Sequence, residues 1–563
     1  MPGLRSGCFL QTTLAVRANC YSVMRKDLRN PERQLGNISY ILSRGAEIHP
    51  DRVAIDDLLN GRLLSYRELD IRITRLARAL IRSGVQKGDM VATMFWNEHA
   101  IVETVFACAR IGAIVAPLNT RLLASDVTEY VNDHDCRAIV TNAAFANLFA
   151  DANPTIRIAR GVVREDASGC KADWQNFETM LAAETDEYLP VTMCFDEPYR
   201  LVSTGGTTGK SKGVLHSHVG TLFTVLADIA EYGICRGWQT LSVLPAYHVA
   251  GMEWGLFTIL WRGGTVVFPA ASSFDPARYL AEIRARNIEY LPLVPALINP
   301  LYNAWDGAPL TGARTVVTTA APTPTPLRRK LAEMFPQADI LAAAGLSESL
   351  NMATQSPGEL LDYPDSIGAP HIDTRVLILD DDDRPVSRGE AGHIAVRNFN
   401  TALGYHRNPE AAATTWRPRK NDPEGLAWCF TGDIGVMDKD GRIAIVDRSK
   451  DIILTGGESV PSVEVETVYS EHTGISDCAA VGVDDTRWGE AILLVAVKCD
   501  DNTSNSALAE DLFRFGRDRL AGFKVPRRIT FIDVLPRSHF GKVLKRDLRD
   551  KAFDQIFERP TRS

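Results

Sequence analysis

Between Ser203 and Gly213 the chain reads S-T-G-G-T-T-G-K-S-K-G, with four glycines and two lysines among hydroxyl side chains in eleven residues. Glycine lets the main chain approach a ligand closely or take a positive φ, while Ser, Thr and Lys supply donors to anionic oxygens. A phosphate group is the natural match. A plain surface loop is the alternative, and the flanks argue against it. Pro198–Val202 leads in, and Val214–Ala230 follows as a largely apolar run read as helix. The spacing is not that of the G-x-x-x-x-G-K-[ST] loop, because no glycine stands five residues before Gly209-Lys210-Ser211. The pattern suits a triphosphate held by a loop of another build.

Three more polar clusters lie far downstream. At Ala344-Gly345-Leu346-Ser347-Glu348 a strand-like run gives way to a glycine, a hydroxyl and a carboxylate. A hydroxyl beside a carboxylate at a strand's carboxyl end suits phosphate plus a divalent cation, which takes oxygen ligands shared with the phosphates. Taken alone, Glu348 could equally open a helix. Phe430-Thr431-Gly432-Asp433, with Asp447-Arg448 beyond it, offers a carboxylate after a glycine turn that can accept from both hydroxyls of a ribose. Pro536–Lys542 reads P-R-S-H-F-G-K, a basic loop whose last lysine could serve phosphoryl or acyl oxygens.

The elements that must position these clusters alternate. Ser65 with Glu68 forms a capping box, and Leu69, Ile73, Leu76, Ala77 and Leu80 then recur at helical spacing. Met90–Phe95, Ala113–Leu118 and Cys136–Thr141 read as buried strands between helices, and Leu241–Leu244, Thr265–Phe268 and Val316–Thr319 continue the rhythm. Gly251–Trp261, Asp275–Arg286 and Pro326–Phe335 read as helices. This is an α/β chain with buried strands, layered sheets and helices. From Arg375 to Gly404 the pattern turns antiparallel. Beyond Arg448 the strands Ala479–Val483 and Ile492–Val497 and the helix Ala507–Leu520 are enough for a small α+β unit.

A chain of 563 residues is expected to form two to four units. Its net charge of −8, without a basic block, argues against nucleic acid as a partner. The ten cysteines are scattered, with no C-x-x-C, which suits reduced thiols of a cytoplasmic protein. No apolar run is long enough for a membrane span, and the broken Cys8–Val16 run makes a poor signal peptide.

Together these stretches resemble the superfamily of adenylate-forming enzymes: acyl- and aryl-CoA synthetases, carrier-protein-loading adenylation domains and beetle-type luciferases. Thr204–Gly213 resembles T-S-G-T-T-G-x-P-K-G. Leu244–Gly251, L-P-A-Y-H-V-A-G, is similar to the segment that walls the acyl pocket. Gly345–Glu348 matches G-[LMY]-[TS]-E, and Thr431–Asp433 the T-G-D signature. Asp447–Asp451 resembles the hinge. Gly456-Gly457-Glu458, Ser462–Glu466, Gly522–Pro526 and Pro536–Lys542 complete the set in family order. Any one is weak; the ordered series is specific.

The resemblance implies a large N-terminal domain, with two α/β subdomains and a small distorted barrel, and a small mobile α+β C-terminal domain. Residues 1–44 would be an extension without assigned role, 45–449 the AMP-binding core and 450–563 the mobile domain. Thr204, Gly206, Thr207, Thr208, Lys210 and Lys212 would wrap the β- and γ-phosphates of ATP. Gly345 and Ser347 would line the α-phosphate, and Glu348 would hold Mg²⁺. Asp433 and Arg448 would hold the ribose. Ala320, Ala321 and Pro322 would lie along the adenine and the acid. His248 would screen the carboxylate side of the pocket, Lys450 would be the hinge, and Gly456 and Gly457 would flank pantetheine. Lys542 would bridge ATP and carboxylate in the first half-reaction.

The implied activity is ATP-dependent conversion of a hydrophobic carboxylic acid (fatty, aromatic or polycyclic) to an acyl-adenylate, then transfer to coenzyme A. A stand-alone enzyme loading an acyl-carrier protein is the alternative, and a non-catalytic binding protein of the same fold is a weaker third. A basic groove for the CoA 3′-phosphate would favour the first. A homodimer is compatible with all three.

The departures are local. Gly205 and Ser211 replace the usual Ser and Pro of the phosphate loop. Ala343-Ala344 stands where Gly-Tyr is common, so adenine must pack on something other than that tyrosine or be held less tightly. Thr318-Thr319-Ala320-Ala321-Pro322 replaces S-G-G-A-P and adds bulk.

Overall fold

The computed structural model describes residues 36–161, 174–187, 196–204, 212–321, 323–420, 422, 425–448, 450–455, 458–485, 487–499, 503–537 and 543–559. Among these residues the strands form four sheets. The nine-stranded sheet has a parallel centre, in the order Val53–Asp57, Thr265–Phe268, Gln239–Leu241, Tyr290–Leu293, Thr315–Thr318 and Asp339–Leu346. Arg62–Ser65 closes one edge antiparallel, and Leu350–Gln355 followed by Ala369–Pro370 closes the other. The eight-stranded sheet likewise has a parallel core of Cys136–Asn142, Met90–Met94, Ile114–Pro117 and Pro198–Thr204. Lys212–Ser217 then folds back on Pro198–Thr204, and the two-residue strand Gly404–Tyr405 adds to it from far along the chain.

One hydrophobic core joins these two sheets. It gathers Val91, Val115 and Ala138 from one, Ile55, Val266 and Val317 from the other, and the helices between them. The strands read as continuous apolar runs because helices cover both faces. The helix Tyr66–Arg82 starts where its capping box lies: Ser65 accepts from the Glu68 amide, and the Glu68 carboxylate accepts from the Ser65 amide at 2.8 Å. Its Leu69, Ile73, Leu76, Ala77 and Leu80 are buried.

The third sheet is wholly antiparallel and takes in the stretch Arg375 to Gly404, where the sequence pattern turns antiparallel. It contains Thr374–Leu379, Ala391–Asn398, Ala427–Met437, Trp416–Pro418 and Ile443–Arg448. The fourth is built on the hairpin Ile475–Asp485 and Gly489–Lys498. With the helices Ser462–Tyr469 and Asn505–Arg517 it has its own apolar core, in which Val465, Tyr469, Leu494, Leu512 and Phe513 meet. The expected α/β plan with a small α+β C-terminal part is therefore present.

Three local expectations are corrected. The packed core reaches back before Gly45: the helix Tyr40–Ile48 buries Ile41 and Leu42, with Ile38 just ahead of it. Gly45 is no boundary. It sits mid-helix because a Cβ there would lie 2.3 Å from the Tyr66 ring. Val214 opens no helix; Lys212–Ser217 is a strand, and the helix runs His218–Glu231 with Ser217 accepting from the Gly220 amide. The apolar run from Gly251 is wound as a π-helix over Ala250–Phe257 and becomes α-helical only at Thr258–Trp261. Single π-turns are commonly found at functional sites.

A buried ion pair ties that π-helix to the strand before the phosphate-loop sequence. Arg200 and Glu253, both without side-chain exposure, approach to 2.5 Å, and the Tyr199 hydroxyl donates to the same carboxylate at 2.7 Å. Arg200 also donates to the Tyr247 carbonyl at 2.8 Å. Removing one partner of such a pair leaves an uncompensated buried charge, which costs about 3–5 kcal/mol. Glu253→Gln is therefore expected to lower unfolding stability on that scale. Urea titration checks it, and a midpoint within experimental error of the unsubstituted chain would refute the assignment.

Candidate active site

Ser347 and Glu348 lie in a three-residue loop joining Asp339–Leu346 to Leu350–Gln355, with Leu346 opposite Leu350 and Gly345 opposite Asn351. No helix opens at Glu348. The reversal is tight: a Cβ on residue 345 would sit 1.7 Å from the Leu350 carbonyl oxygen, so only glycine fits. The Glu348 backbone carbonyl accepts from the Ala402 amide at 3.0 Å and from the Trp416 indole at 3.3 Å. Its carboxylate accepts from the Tyr405 hydroxyl at 2.8 Å.

The phosphate-loop sequence joins two paired strands, with Thr204 opposite Lys212. Gly206, Thr207, Thr208 and Lys210 lie outside the described residues, as do Gly205, Ser211 and the Thr204 side chain. The Lys212 ammonium stands 4.9 Å from the centre of the Tyr405 ring. The strand behind it is fixed by Gly404–Tyr405 and by the His406 amide, which donates to the Gly213 carbonyl at 2.8 Å. The His406 ring meets His134 through their Nδ1 atoms at 2.8 Å. Burial pushes both imidazoles down, His134 to about 4, and the pair stays neutral behind the loop.

The ribose candidates face each other in the antiparallel sheet. Asp433 and Arg448 are cross-strand partners, and the guanidinium reaches the carboxylate at 3.3 Å. The turn before Asp433 is set by Gly432 at φ 78 and by the Thr431 hydroxyl, which accepts from the Asp433 amide at 3.0 Å. Trp416, which holds Glu348, pairs with Cys429 on the strand that carries Asp433. The cation and ribose candidates are thus two steps apart through one sheet.

The acyl-wall candidate His248 is half-buried, and its Nδ1 accepts from the Ala250 amide at 3.3 Å. The segment leading to it is pinned by Asn97, which donates to the Ser242 and Leu244 carbonyls at 2.9 and 2.8 Å and accepts from the Ala246 amide at 2.9 Å. Burial pushes the neighbouring Tyr247 phenol up to about 12. Ala321 is exposed, and Ala320 holds φ 71, a region that glycine takes freely and alanine does not. Buried Arg328 braces the turn by donating to the Thr323 and Leu360 carbonyls. Ala344 is partly buried against a cluster that includes Met352 and Val376.

The hinge candidate Lys450 is exposed, and partial desolvation followed by the Arg448 charge lowers its ammonium below the ordinary value. Next to it, Asp447 accepts from the Ser462 hydroxyl at 2.7 Å, and Arg549 pairs with Asp451 at 2.7 Å. Pro322, Gly456, Gly457 and Lys542 lie outside the described residues. The two ends of the Lys542 loop are closed by a bridge between Arg537 and Val543. Tyr405, Asn97 and the Arg200–Glu253 pair were not singled out by sequence. For Tyr405 the available signal is its place in G-Y-H-R-N-P-E, just ahead of the helix Pro409–Thr415 capped by Asn408.

The AMP-binding enzyme family matches residues 42–406 and its C-terminal domain matches 464–542, and the chain belongs to that family. The chain is 30% identical to a feruloyl-CoA synthase of an Amycolatopsis species over 515 residues, covering 90% of this chain and 97% of that protein. It is 28% identical to a long-chain-fatty-acid–CoA ligase of Salmonella typhimurium, covering 94% and 96% of the two chains. The crystal structure of ATP-bound MatB from Rhodopseudomonas palustris superposes with a TM-score of 0.78 at 25% identity, covering 91% of this chain and 98% of that one.

The strain at Ala320 gives a direct expectation. An L-residue in the left-handed region costs about 1–2 kcal/mol, of which the greater unfolded-state freedom of glycine returns about 0.4–1. Ala320→Gly should therefore raise stability by up to about 1.6 kcal/mol. A denaturant midpoint that rises at unchanged slope supports this, and a midpoint that falls contradicts it.

Proposed function

We propose that the chain is an AMP-forming acyl-CoA ligase acting on a hydrophobic carboxylic acid, fatty, aromatic or polycyclic. The observation that carries this is the family match along both parts of the chain together with retention of every charged group of the implied site, Lys210, Lys212, Glu348, Asp433, Arg448 and Lys542. AMP-forming CoA ligases use ATP, Mg²⁺ and CoA. The acids in the names of the relatives, feruloyl and long-chain fatty, support the class of acid.

Among the described residues, no group of three His, Cys, Asp or Glu side chains could hold a metal ion. Glu348 alone at its loop suits a cation that arrives on the triphosphate and keeps water and phosphate oxygens as its other ligands. When bound, Mg²⁺ would neutralise phosphate charge as the two anions meet. Lys210 and Lys212 would hold the β- and γ-phosphates, and Asp433 with Arg448 would orient the ribose. The acid's carboxylate oxygen attacks the α-phosphorus, an O–P bond forms, and pyrophosphate leaves with the electrons of the broken bond. Lys542 would offset the charge where the two anions approach, in a site from which water is excluded. In the second half-reaction the thiolate of CoA forms the thioester carbon–sulfur bond and AMP leaves. His248 would screen the carboxylate side of the pocket before the thiol enters.

The same reading makes residues 450–563 a unit that turns about Lys450 so that Gly456 and Gly457 replace Lys542 at the site. Among the described residues no helix is long and apolar enough to cross a membrane.

Two measurements test the reading. Pyrophosphate release should appear with one or more members of a panel of fatty, aromatic and polycyclic acids, and thioester should form only when CoA is added. Release without thioester, restored by a phosphopantetheinylated carrier protein, would replace CoA as acceptor; no release with any acid would sink the enzyme reading. Lys542→Ala should lower adenylate formation by about 10²-fold or more, as loss of one preorganised charge contact does. Thioester formation from supplied acyl-adenylate should be largely kept, and equal loss of both half-reactions contradicts the role given to Lys542.

A further inference from the structure

Three stretches far apart in sequence converge on one side chain that the family motifs above do not include. Tyr405 donates its hydroxyl to Oε1 of Glu348 at 2.8 Å and lies with its ring centre 4.9 Å from the Lys212 ammonium. It packs in a cluster with Val202 and Val214, from the strands flanking the phosphate-loop sequence, with Val249 beside His248, and with Leu350 at the end of the Glu348 loop. Trp416 closes the arrangement, its ring 4.7 Å from Tyr405 and its indole donating to the Glu348 carbonyl at 3.3 Å.

We propose that Tyr405 is a positioning residue that sets the Glu348 carboxylate for the cation and the Lys212 ammonium for the triphosphate through a single phenol. This rests on the proposed reading of Glu348 and Lys212. The hydroxyl engages one carboxylate oxygen, which orients the group and leaves Oε2 for the cation. The electron-rich ring face attracts the ammonium at the same time. Gly404 and Tyr405 are held in register by pairing with Leu215 and Val214, so the phenol cannot shift without the strand that carries Lys212. The two functions are separable: phenylalanine keeps the ring and loses the donor, and leucine loses both.

The test reads ATP binding to the full chain, by equilibrium titration at stepped Mg²⁺, and needs no knowledge of the acid. Outer-shell partners of a metal ligand typically change metal affinity by about 10–100-fold. Tyr405→Phe is therefore expected to raise the Mg²⁺ concentration for half-maximal ATP binding by about 10-fold or more while leaving ATP binding at saturating Mg²⁺ within about 2-fold. Tyr405→Leu should also weaken ATP at saturating Mg²⁺. Glu348→Gln should show the same Mg²⁺ shift or a larger one, and Tyr405→Phe added to it should change nothing more. Thermal unfolding of Tyr405→Phe, which keeps the packed ring, checks that the fold is intact. If Tyr405→Phe leaves the Mg²⁺ curve in place while Glu348→Gln moves it, Tyr405 is only a packing residue and the proposal falls. If neither moves it, Glu348 is not the cation ligand, and the reading falls together with the proposal.

Discussion

The close approach of Gly345 to Leu350 is the constraint on which the arrangement of charges depends. The Leu350 carbonyl oxygen lies 1.7 Å from where a Cβ on residue 345 would sit, and Leu350 itself takes φ 58. The strand from Asp339 therefore turns back at once, and Ser347 and Glu348 are held at the tip rather than on a helix. A left-handed non-glycine residue costs about 1–3 kcal/mol and persists only where its surroundings enforce it. Here they do, because Leu350 is buried with Val202, Val214 and Tyr405. The same turn sets Asn351 on the next strand, where its side chain donates to buried Asp228 at 2.8 Å. Beside that aspartate, His371 is burdened by desolvation, but the Asp228 and Asp373 carboxylates, at 3.4 and 2.7 Å, outweigh it and hold the imidazole up to about 10.

Two ties carry this local constraint outward. Arg200 and Glu253 link the strand entering the phosphate-loop sequence to the π-helix Ala250–Phe257, without exposure of either charge. Gly404–Tyr405 links the strand leaving it to the loop that bears Glu348. Both act on the same hairpin, one on each strand, so the sequence between Thr204 and Lys212 is fixed at both ends by side chains from elsewhere. A glycine-rich phosphate-binding segment needs such anchors, since its own composition supplies little conformational preference.

Much of this was legible in the sequence, for physical reasons that differ by feature. The capped helix Tyr66–Arg82 and the buried parallel strands were readable because capping and apolar periodicity are local signals. The alternation of strand and helix fixed the α/β class in the same way. The strand Lys212–Ser217 was not readable, because Val214–Ala230 is largely apolar and short apolar runs do not distinguish strand from helix. Gly45 misled because a mid-helix glycine required by the Tyr66 ring looks, in sequence, like a boundary. Tyr405 was passed over because its place in G-Y-H-R-N-P-E is a weak local signal and its partners, Glu348 and Val214, lie far from it in sequence.

The departures from the family pattern divide along the same line. Every charged group of the implied site is kept, and the changes fall on shape: Ala320 in a left-handed turn, Ala344 turned toward the Met352 and Val376 cluster, Thr318 and Thr319 in place of smaller residues. Thr318 is not merely bulk. It donates to the Leu341 carbonyl at 3.3 Å and accepts from Thr323 at 3.0 Å, and so binds the strained turn to the neighbouring strand. The alanine at 320 is thereby held in a conformation it would leave if the turn were free. A site altered in this way preserves where charge is placed and changes what fits beside it. Attack of one anion on another depends on the former, and the choice of acid and the seat of adenine on the latter.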